Sequence, residues 1–396
     1  MMETKLLKLI VCGILIPAVL SRNVNIEWDP KGYLLYCPCS GRFTGQTEQL
    51  LGALQFSKAI NRVLVIPPYI DYPCGRKHKS SATGISLMQH QEGNEYIPFD
   101  SYFDIEALHE YYPDVITMGD FLDHLAPTYW PPSERAAYCA RKLADINDGK
   151  CPRTGNPHGT FWEELNIEFA KSEIWEEQMH YNVDYEPWKN LWIETYPADE
   201  HPVLALMNAP SFQPIQPNAE ELHRYLKWLP DIVDEGEEFI KENIERPYIG
   251  IHLRNGADWT RTCELADGNH PRLMSSHQCM GHYSQEGVTK EVCIQSEEQV
   301  IKELEDIITK HEAKTIFIAT DHVSMEDEIQ DAYPDVRVVT MSPERPQVDL
   351  YILEESDHFL GNCVSAFSAY VSRSRVNAKR SVSHLGYNPA PVRDEL

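Results

Sequence analysis

Tyr248-Ile249-Gly250-Ile251-His252-Leu253-Arg254-Asn255-Gly256-Ala257-Asp258-Trp259 is the stretch on which the fold turns. Its first half, following Pro247, is apolar and rich in β-branched residues, which suits a buried strand. Its second half breaks into His, Arg, Asn, Gly, Asp and Trp. Polar groups at the C-terminal end of a strand are where α/β folds bind ligands, because helix N-termini open towards that edge. His252 and Arg254 are two apart and therefore address one face. A guanidinium is well shaped to grip a pyrophosphate with two parallel hydrogen bonds. The same residues would also suit a plain strand end, with Arg254 paired to Asp258 and His252 solvated. A single His-x-Arg leaves both readings open.

Outward from this stretch, the C-terminal part alternates regularly. Ser296-Glu297-Glu298-Gln299 has the form of a capping box, and Val300, Ile301, Leu304, Ile307 and Ile308 follow at helical spacing. A buried strand is expected over Thr315–Thr320, ending at Asp321, and Ser324 can cap the next helix. Further strands are expected over 336–341 and 358–361, and helices over 348–355 and 365–374. On the N-terminal side, Tyr33–Tyr36 reads as a strand, the loop Gly41-Arg42-Phe43-Thr44-Gly45-Gln46 leads into a helix over 47–60, and 62–66 is the next strand. This is a βαβ unit whose loop would sit at a helix N-terminus, where backbone N–H groups favour anions; a plain turn using Gly for its freedom fits the loop equally well. Residues 70–245 are less regular, with a strand expected over 201–207 and an acidic helix over 231–245. Arg246-Pro247 marks a boundary. The fold class is α/β, with two Rossmann-like domains (22–245 and 246–392) facing each other across a ligand cleft.

Lys+Arg number 35 against 61 Asp+Glu, a formal net charge of −26. That balance argues against nucleic acid or an anionic membrane as partner. Any polyphosphate must be held by a local basic pocket. Residues 1–21 have the form of a secretory signal, with Lys5 and Lys8 at the start of an apolar run and Ser21 at its end. Arg393-Asp394-Glu395-Leu396 is a close variant of the Lys-Asp-Glu-Leu signal read by the retrieval receptor. The expectation is a protein of the endoplasmic reticulum lumen, not an integral membrane protein. Ten cysteines agree with an oxidising compartment. Removing Cys12 with the signal leaves an odd number. Disulfides are favoured over zinc, since Cys37-Pro38-Cys39 has the wrong spacing for a metal knuckle.

Phosphate-loop, nucleophile-elbow and His-Glu-x-x-His motifs are absent, as is an Asp-x-Asp pair for a metal-bridged nucleotide sugar. What remains is Arg42 in its Gly loop, the His252/Arg254 strand end, and Gly361-Asn362-Cys363-Val364-Ser365-Ala366-Phe367-Ser368, which would start a helix at Ser365. Three such devices suggest a nucleotide diphosphate bound without an essential metal.

A collinear set of motifs makes a resemblance specific. These are Tyr33-Leu34-Leu35-Tyr36-Cys37-Pro38-Cys39 with Gly41-Arg42-Phe43, Leu125-Ala126-Pro127-Thr128 with Trp130-Pro131-Pro132, and His201-Pro202-Val203-Leu204-Ala205-Leu206. They continue through His252-Leu253-Arg254 to Asp258-Trp259, then Gln347-Val348-Asp349-Leu350-Tyr351-Ile352-Leu353, and Asp357-His358-Phe359 with Gly361-Asn362-Cys363-Val364-Ser365. The chain resembles the GDP-fucose-dependent protein O-fucosyltransferases that modify EGF-like repeats. The resemblance implies a GT-B architecture, inversion at the sugar, GDP-fucose as donor and no cofactor or essential metal. It puts Arg42, Phe43, Thr44, Gly45, His252, Arg254, Asp349, Ser365, Ala366 and Phe367 around the donor. It also implies disulfides Cys37–Cys39, Cys139–Cys151, Cys263–Cys293 and Cys279–Cys363, leaving Cys74 single. The acceptor would be a Ser or Thr of a folded EGF-like repeat in a Notch-type protein. Thrombospondin-type repeats, a glycan acceptor, and a non-catalytic luminal lectin or chaperone are the alternatives. Because charge develops on the departing GDP, a fixed cation there lowers the barrier most, and Arg254 is expected in that role. Asp258 is a possible base by proximity in sequence only. Two departures stand out. The family's Gly-Asn after Arg-Phe is Thr44-Gly45 here, which raises the question of whether Gln46 substitutes for the Asn, and the family's second Ser is Ala366.

Overall fold

Parallel strands are covered on both faces, so they are built from unbroken apolar runs rather than alternating ones. The chain uses this device twice. In the computed structural model, the described residues are 26–39, 41–71, 94–144, 149–151, 161–176, 178–211, 215–270, 272–341 and 345–387. The expected signal (1–21), Cys74 and the retrieval signal (393–396) lie outside the described residues. In chain order the first strands are β1 (Tyr33–Tyr36), β2 (Val63–Ile66), β3 (Tyr69–Asp71), β4 (Glu95–Ile97), β5 (Val115–Thr117), β6 (Ala136–Ala140), β7 (Lys171–Trp175) and β8 (Val203–Leu206). Then come β9 (Tyr248–Leu253), β10 (Thr315–Thr320), β11 (Arg337–Thr340), β12 (His358–Asn362) and β13 (Val382–Leu385).

One six-stranded parallel sheet has the order β5-β2-β1-β8-β6-β7, and a five-stranded parallel sheet has the order β11-β10-β9-β12-β13. β3 and β4 form a separate antiparallel pair. β1 and β9 are thus central strands, and each ends beside a loop that leads into a helix. Side-chain alternation sorts the cores. Leu34 and Tyr36 of β1 share a core with Tyr248, Phe317, Leu350 and Tyr370, while Tyr33 and Leu35 face Phe121, Trp130 and Trp162. In β9, Ile249, Ile251 and Leu253 pack on Val300 and Leu304 of the helix Glu297–His311. His252, of opposite parity, shares the face of Tyr248.

The two halves meet through that shared core. Phe43, first residue of the helix Phe43–Ala59, has ring centroids 4.6 Å from Tyr69 and 6.2 Å from Tyr370 of the helix Ala366–Asn377. Five residues further along, Glu48 meets Arg373 at 2.7 Å, with both side chains only 4% exposed. Removing one member of such a buried pair costs about 3–5 kcal/mol, because its partner's charge is left uncompensated.

Several boundaries differ from expectation. The first helix begins at Phe43, one turn before residue 47, so Thr44 and Gly45 are buried helical residues rather than loop. No side chain caps it. Instead the Gln46 amide is locked to β3: its Nε2 donates to the Ile70 carbonyl (2.9 Å) and the Gly41 carbonyl (3.2 Å), and its Oε1 accepts the Ile70 N–H (2.8 Å). That long-range anchor draws the helix start forward, and Gly41 makes the turn in the left-handed region at φ +74°. Region 70–245 supplies β4 and also β5 to β8, four of the six strands of the larger sheet, and β13 adds an edge strand that the sequence did not suggest. The acidic helix Pro230–Asn243 packs with the second sheet, where Phe239 meets Phe317 (5.6 Å) and Glu237 accepts from the Tyr351 hydroxyl (2.7 Å). The four disulfides pair as the resemblance implies, with Cα–Cα separations of 5.1, 5.6, 5.6 and 5.7 Å.

Candidate active site

The end of β9 meets the start of the helix Ala366–Asn377. His252 is buried, its Nδ1 is 2.7 Å from Ser368 Oγ, and its ring lies 4.5 Å from that of Phe367. Ser368 Oγ already accepts the Asn362 N–H at 2.8 Å. Its own proton is therefore assigned to His252 Nδ1, which leaves Nε2–H as the group the ring can offer a ligand. Burial, with the Arg254 charge adding to it, pushes the His252 pKa down to about 3. The ring is a neutral donor, not a second cation.

Arg254 is held rather than free. Its Nη2 donates to Asp258 Oδ2 at 2.6 Å, its Nη1 pairs with Asp321 at the end of β10, and its guanidinium lies 4.7 Å over the Trp259 ring. The Asp258 pairing left open by the sequence is thus present, within a larger clamp. Asp258 spends its oxygens on Arg254, so its placement suits orienting the guanidinium better than receiving an acceptor proton. Asp321 also accepts the Asn255 N–H (3.0 Å). Asp321 was seen in the sequence only as a strand end; its proximity to Arg254 depends on β9 and β10 being neighbours in register, with Leu253 opposite Thr320.

Ser365 caps the helix Ala366–Asn377, its Oγ accepting the Phe367 N–H at 3.2 Å. Buried Asn362 organises this turn. Its Oδ1 accepts the N–H groups of Val364 (3.0 Å) and Ser365 (3.1 Å), and its Nδ2 donates to the Cys293 carbonyl (2.8 Å). The expected cradle of amides is therefore narrower than the motif suggests, since the N–H groups of Asn362, Val364, Ser365 and Phe367 are taken within the turn. Gln278 braces the turn from outside, donating to the carbonyls of Cys363 (2.8 Å) and Ser365 (3.1 Å). Asn362 and Gln278 were not singled out as site residues, because a buried amide that shapes a turn has no periodic or spacing signature.

Contacts between the two helices advance in the same sense, Phe43 with Tyr370 and then Glu48 with Arg373. The helices therefore run alongside each other and start at the same end. Arg42, exposed at the first helix start, and Thr44 and Gly45 in its first turn lie at that end, as do Ser365, Ala366 and Phe367. Both helices start at one end, the His252 ring meets Phe367 there, and Arg254 follows His252 by two residues, a set of groups suited to a diphosphate. Asp349 is buried in the first turn of the helix Pro346–Glu355, on the element that joins the second sheet to the shared core.

Comparison with known proteins gives the same direction. The sequence profile of the family described as GDP-fucose protein O-fucosyltransferase matches residues 33–377. The chain is similar to GDP-fucose protein O-fucosyltransferase 1 of Caenorhabditis elegans, with 33% identity over 375 residues, covering 92% of this chain and 90% of the relative. It is also similar to a crystal structure of POFUT1 in complex with GDP-fucose, with 32% identity, TM-score 0.81, and coverage of 91% of this chain and 100% of the other. A POFUT1 structure without ligand matches at 33% identity and TM-score 0.80, covering 91% and 99%.

Proposed function

Since the chain belongs to the GDP-fucose protein O-fucosyltransferase family, we propose that it transfers fucose from GDP-fucose, with inversion, to a Ser or Thr hydroxyl of folded EGF-like repeats. Fucosyl transfer from GDP-fucose is the activity of the family. The acceptor, the stereochemistry and the residue roles are our reading. The observation that carries it is the clamped Arg254, two residues beyond a buried His252 whose ring meets Phe367 in the first turn of the helix Ala366–Asn377.

In this reading the acceptor oxygen forms a bond to the anomeric carbon as the bond from that carbon to the β-phosphate oxygen breaks. The electron pair leaves with GDP. Arg254, already aimed by Asp258, Asp321 and Trp259, meets the charge that grows on the β-phosphate, where a preorganised cation acts most strongly. His252 Nε2–H and the Ala366 amide hold the phosphates, Ser365 fixes the helix start that presents that amide, and Arg42 and Phe43 approach from the other half. Thr44 and Gly45 shape the first helical turn. Asp349 holds the nucleoside side. With Asp258 committed to Arg254, the acceptor proton leaves late, after the sugar–phosphate bond has loosened, and needs only a weak base. No step requires a metal or cofactor.

The reaction is assigned to the endoplasmic reticulum lumen. Supporting this are the stretches 1–21 and 393–396 and the four disulfides, which suit an oxidising compartment. Among the described residues no helix is long and apolar enough to cross a membrane.

The test is turnover of GDP-fucose on separately folded EGF-like and thrombospondin-type repeats, with product read by mass, in EDTA. Fucosylation of the EGF-like repeat is expected, at a rate within about twofold of that without chelator. Transfer confined to the thrombospondin-type repeat would change the acceptor, and donor binding without transfer would favour a lectin or chaperone. Complete loss in EDTA, restored by manganese, would put a metal in the reaction.

A further inference from the structure

Away from that site, three ligand-bearing side chains turn on one another. Glu220 ends the short helix Pro217–Glu220, His277 begins the helix His277–Met280, and His282 follows it. Glu220 Oε1 is 3.1 Å from His277 Nε2 and 3.2 Å from His282 Nε2, and the ligand atoms of all three lie within 4.8 Å of one another. The two imidazoles face each other at 4.7 Å between centroids. The His277 side chain is 2% exposed. Both Nε2 atoms are buried, yet neither meets a partner in hydrogen-bonding geometry among the described residues.

Buried nitrogens left in this state are unfavourable. The two rings share a single carboxylate oxygen between them. A divalent ion satisfies all three groups at once. Zinc bonds to His and carboxylate ligands measure about 2.0–2.2 Å, which in a tetrahedron sets neighbouring ligand atoms about 3.3–3.6 Å apart. The observed 3.1 and 3.2 Å separations are close to that spacing. Two imidazoles and one carboxylate suit zinc-class ions; calcium and magnesium prefer sets of six or more oxygens.

We propose that Glu220, His277 and His282 form a tridentate site for a zinc-class divalent ion, with the fourth position open to water. Glu220 and His282 are 26% and 17% exposed in their side chains, which provides the entry path. The ion has a structural consequence. Cys279, between the two histidines, is tied to Cys363 at the turn that leads to Ser365. Glu220 lies on the other approach, where its carbonyl accepts from Asn377 Nδ2 (3.2 Å). A bound ion therefore fastens the segment carrying Glu220 to the loop that braces the donor-side turn.

The test uses the full chain, stripped with EDTA and dialysed, then titrated with Zn²⁺ by calorimetry and with Co²⁺ by visible absorption. One equivalent of Zn²⁺ is expected, with tetrahedral Co²⁺ bands, and with a melting temperature that rises on adding Zn²⁺. His282→Gln and Glu220→Gln keep volume and polarity at partly exposed positions, and each should melt like the stripped wild type. Each should weaken Zn²⁺ binding by about a hundredfold or more, since even outer-shell changes at metal sites cost about 10–100-fold. Absence of stoichiometric Zn²⁺ binding by wild type would overturn the proposal. So would binding as tight as wild type in both variants, which would locate the ion elsewhere.

Discussion

Gly256→Ala isolates the position of the Arg254 guanidinium from its presence. Gly256 has φ −61° and ψ 160°, a conformation open to any L-residue, so the substitution brings no backbone strain. The obstacle is space. A Cβ on Gly256 would stand 2.4 Å from Asp321 Oδ2, 2.8 Å from Asp258 Oδ1 and 2.9 Å from Arg254 Nη1. Ordinary contact needs about 3.5 Å, so the clamp must yield by roughly 1 Å. All three atoms are the ends of flexible side chains, and the fold should absorb the shift. Gly256 precedes the helix Ala257–Thr262 at its N-cap, where Ala costs about 1 kcal/mol or less relative to Gly. Catalysis should not absorb it so easily. A misplacement of about 1 Å can cost on the order of a hundredfold in rate, equivalent to about 2.7 kcal/mol of barrier. The assay is kcat and KM for GDP-fucose on one folded EGF-like repeat, alongside the melting temperature. The expected result is a melting temperature near wild type with kcat about a hundredfold lower. A kcat within about threefold of wild type would refute the idea that the clamped guanidinium is the working one.

Arg254→Ala should lower kcat by about a hundredfold to a thousandfold, and Arg254→Lys should recover little, since an ammonium cannot fork onto Asp258 or stack on Trp259; wild-type turnover in Arg254→Lys would reduce the site to a point charge. Gln46→Ala should act on stability rather than chemistry. It orphans the Ile70 N–H and carbonyl, at about 1–3 kcal/mol per buried group, so an unchanged urea midpoint would contradict the anchor described above. Acid should destabilise the fold through buried histidines. Burial pushes His252 and His358 down to about 3 and His384 to about 4. Between pH 6.5 and 4 the unfolded chain therefore binds protons that the native state refuses, and stability falls as pH falls. Each histidine contributes up to about 1.4 kcal/mol per pH unit. Urea midpoints measured from pH 7.5 to 5 should decline, and His384→Gln should flatten the slope.

The family, and most elements of the two regularly alternating stretches, were legible in the sequence, whereas β3 to β7 and β13 were not. The apolar runs of β1, β9, β10 and β12 announce strands buried on both faces, and His252 and Arg254 share a face by parity alone. The motifs from Tyr33 to Ser365 carried the disulfide pairing, including Cys279 with Cys363, through resemblance rather than spacing. Tertiary structure alone decided the rest. It brought Asp321 to Arg254 through the β9–β10 register, committed Asp258 to the clamp, and tied Gln46 to Ile70 instead of leaving it to replace the family's Asn. It also buried Glu48 against Arg373 and turned His277 and His282 onto Glu220. The physical reason is range. Side-chain periodicity and capping report on neighbours within a turn or a strand, whereas a hydrogen bond or ion pair between distant segments exists only once the sheets have brought those segments together.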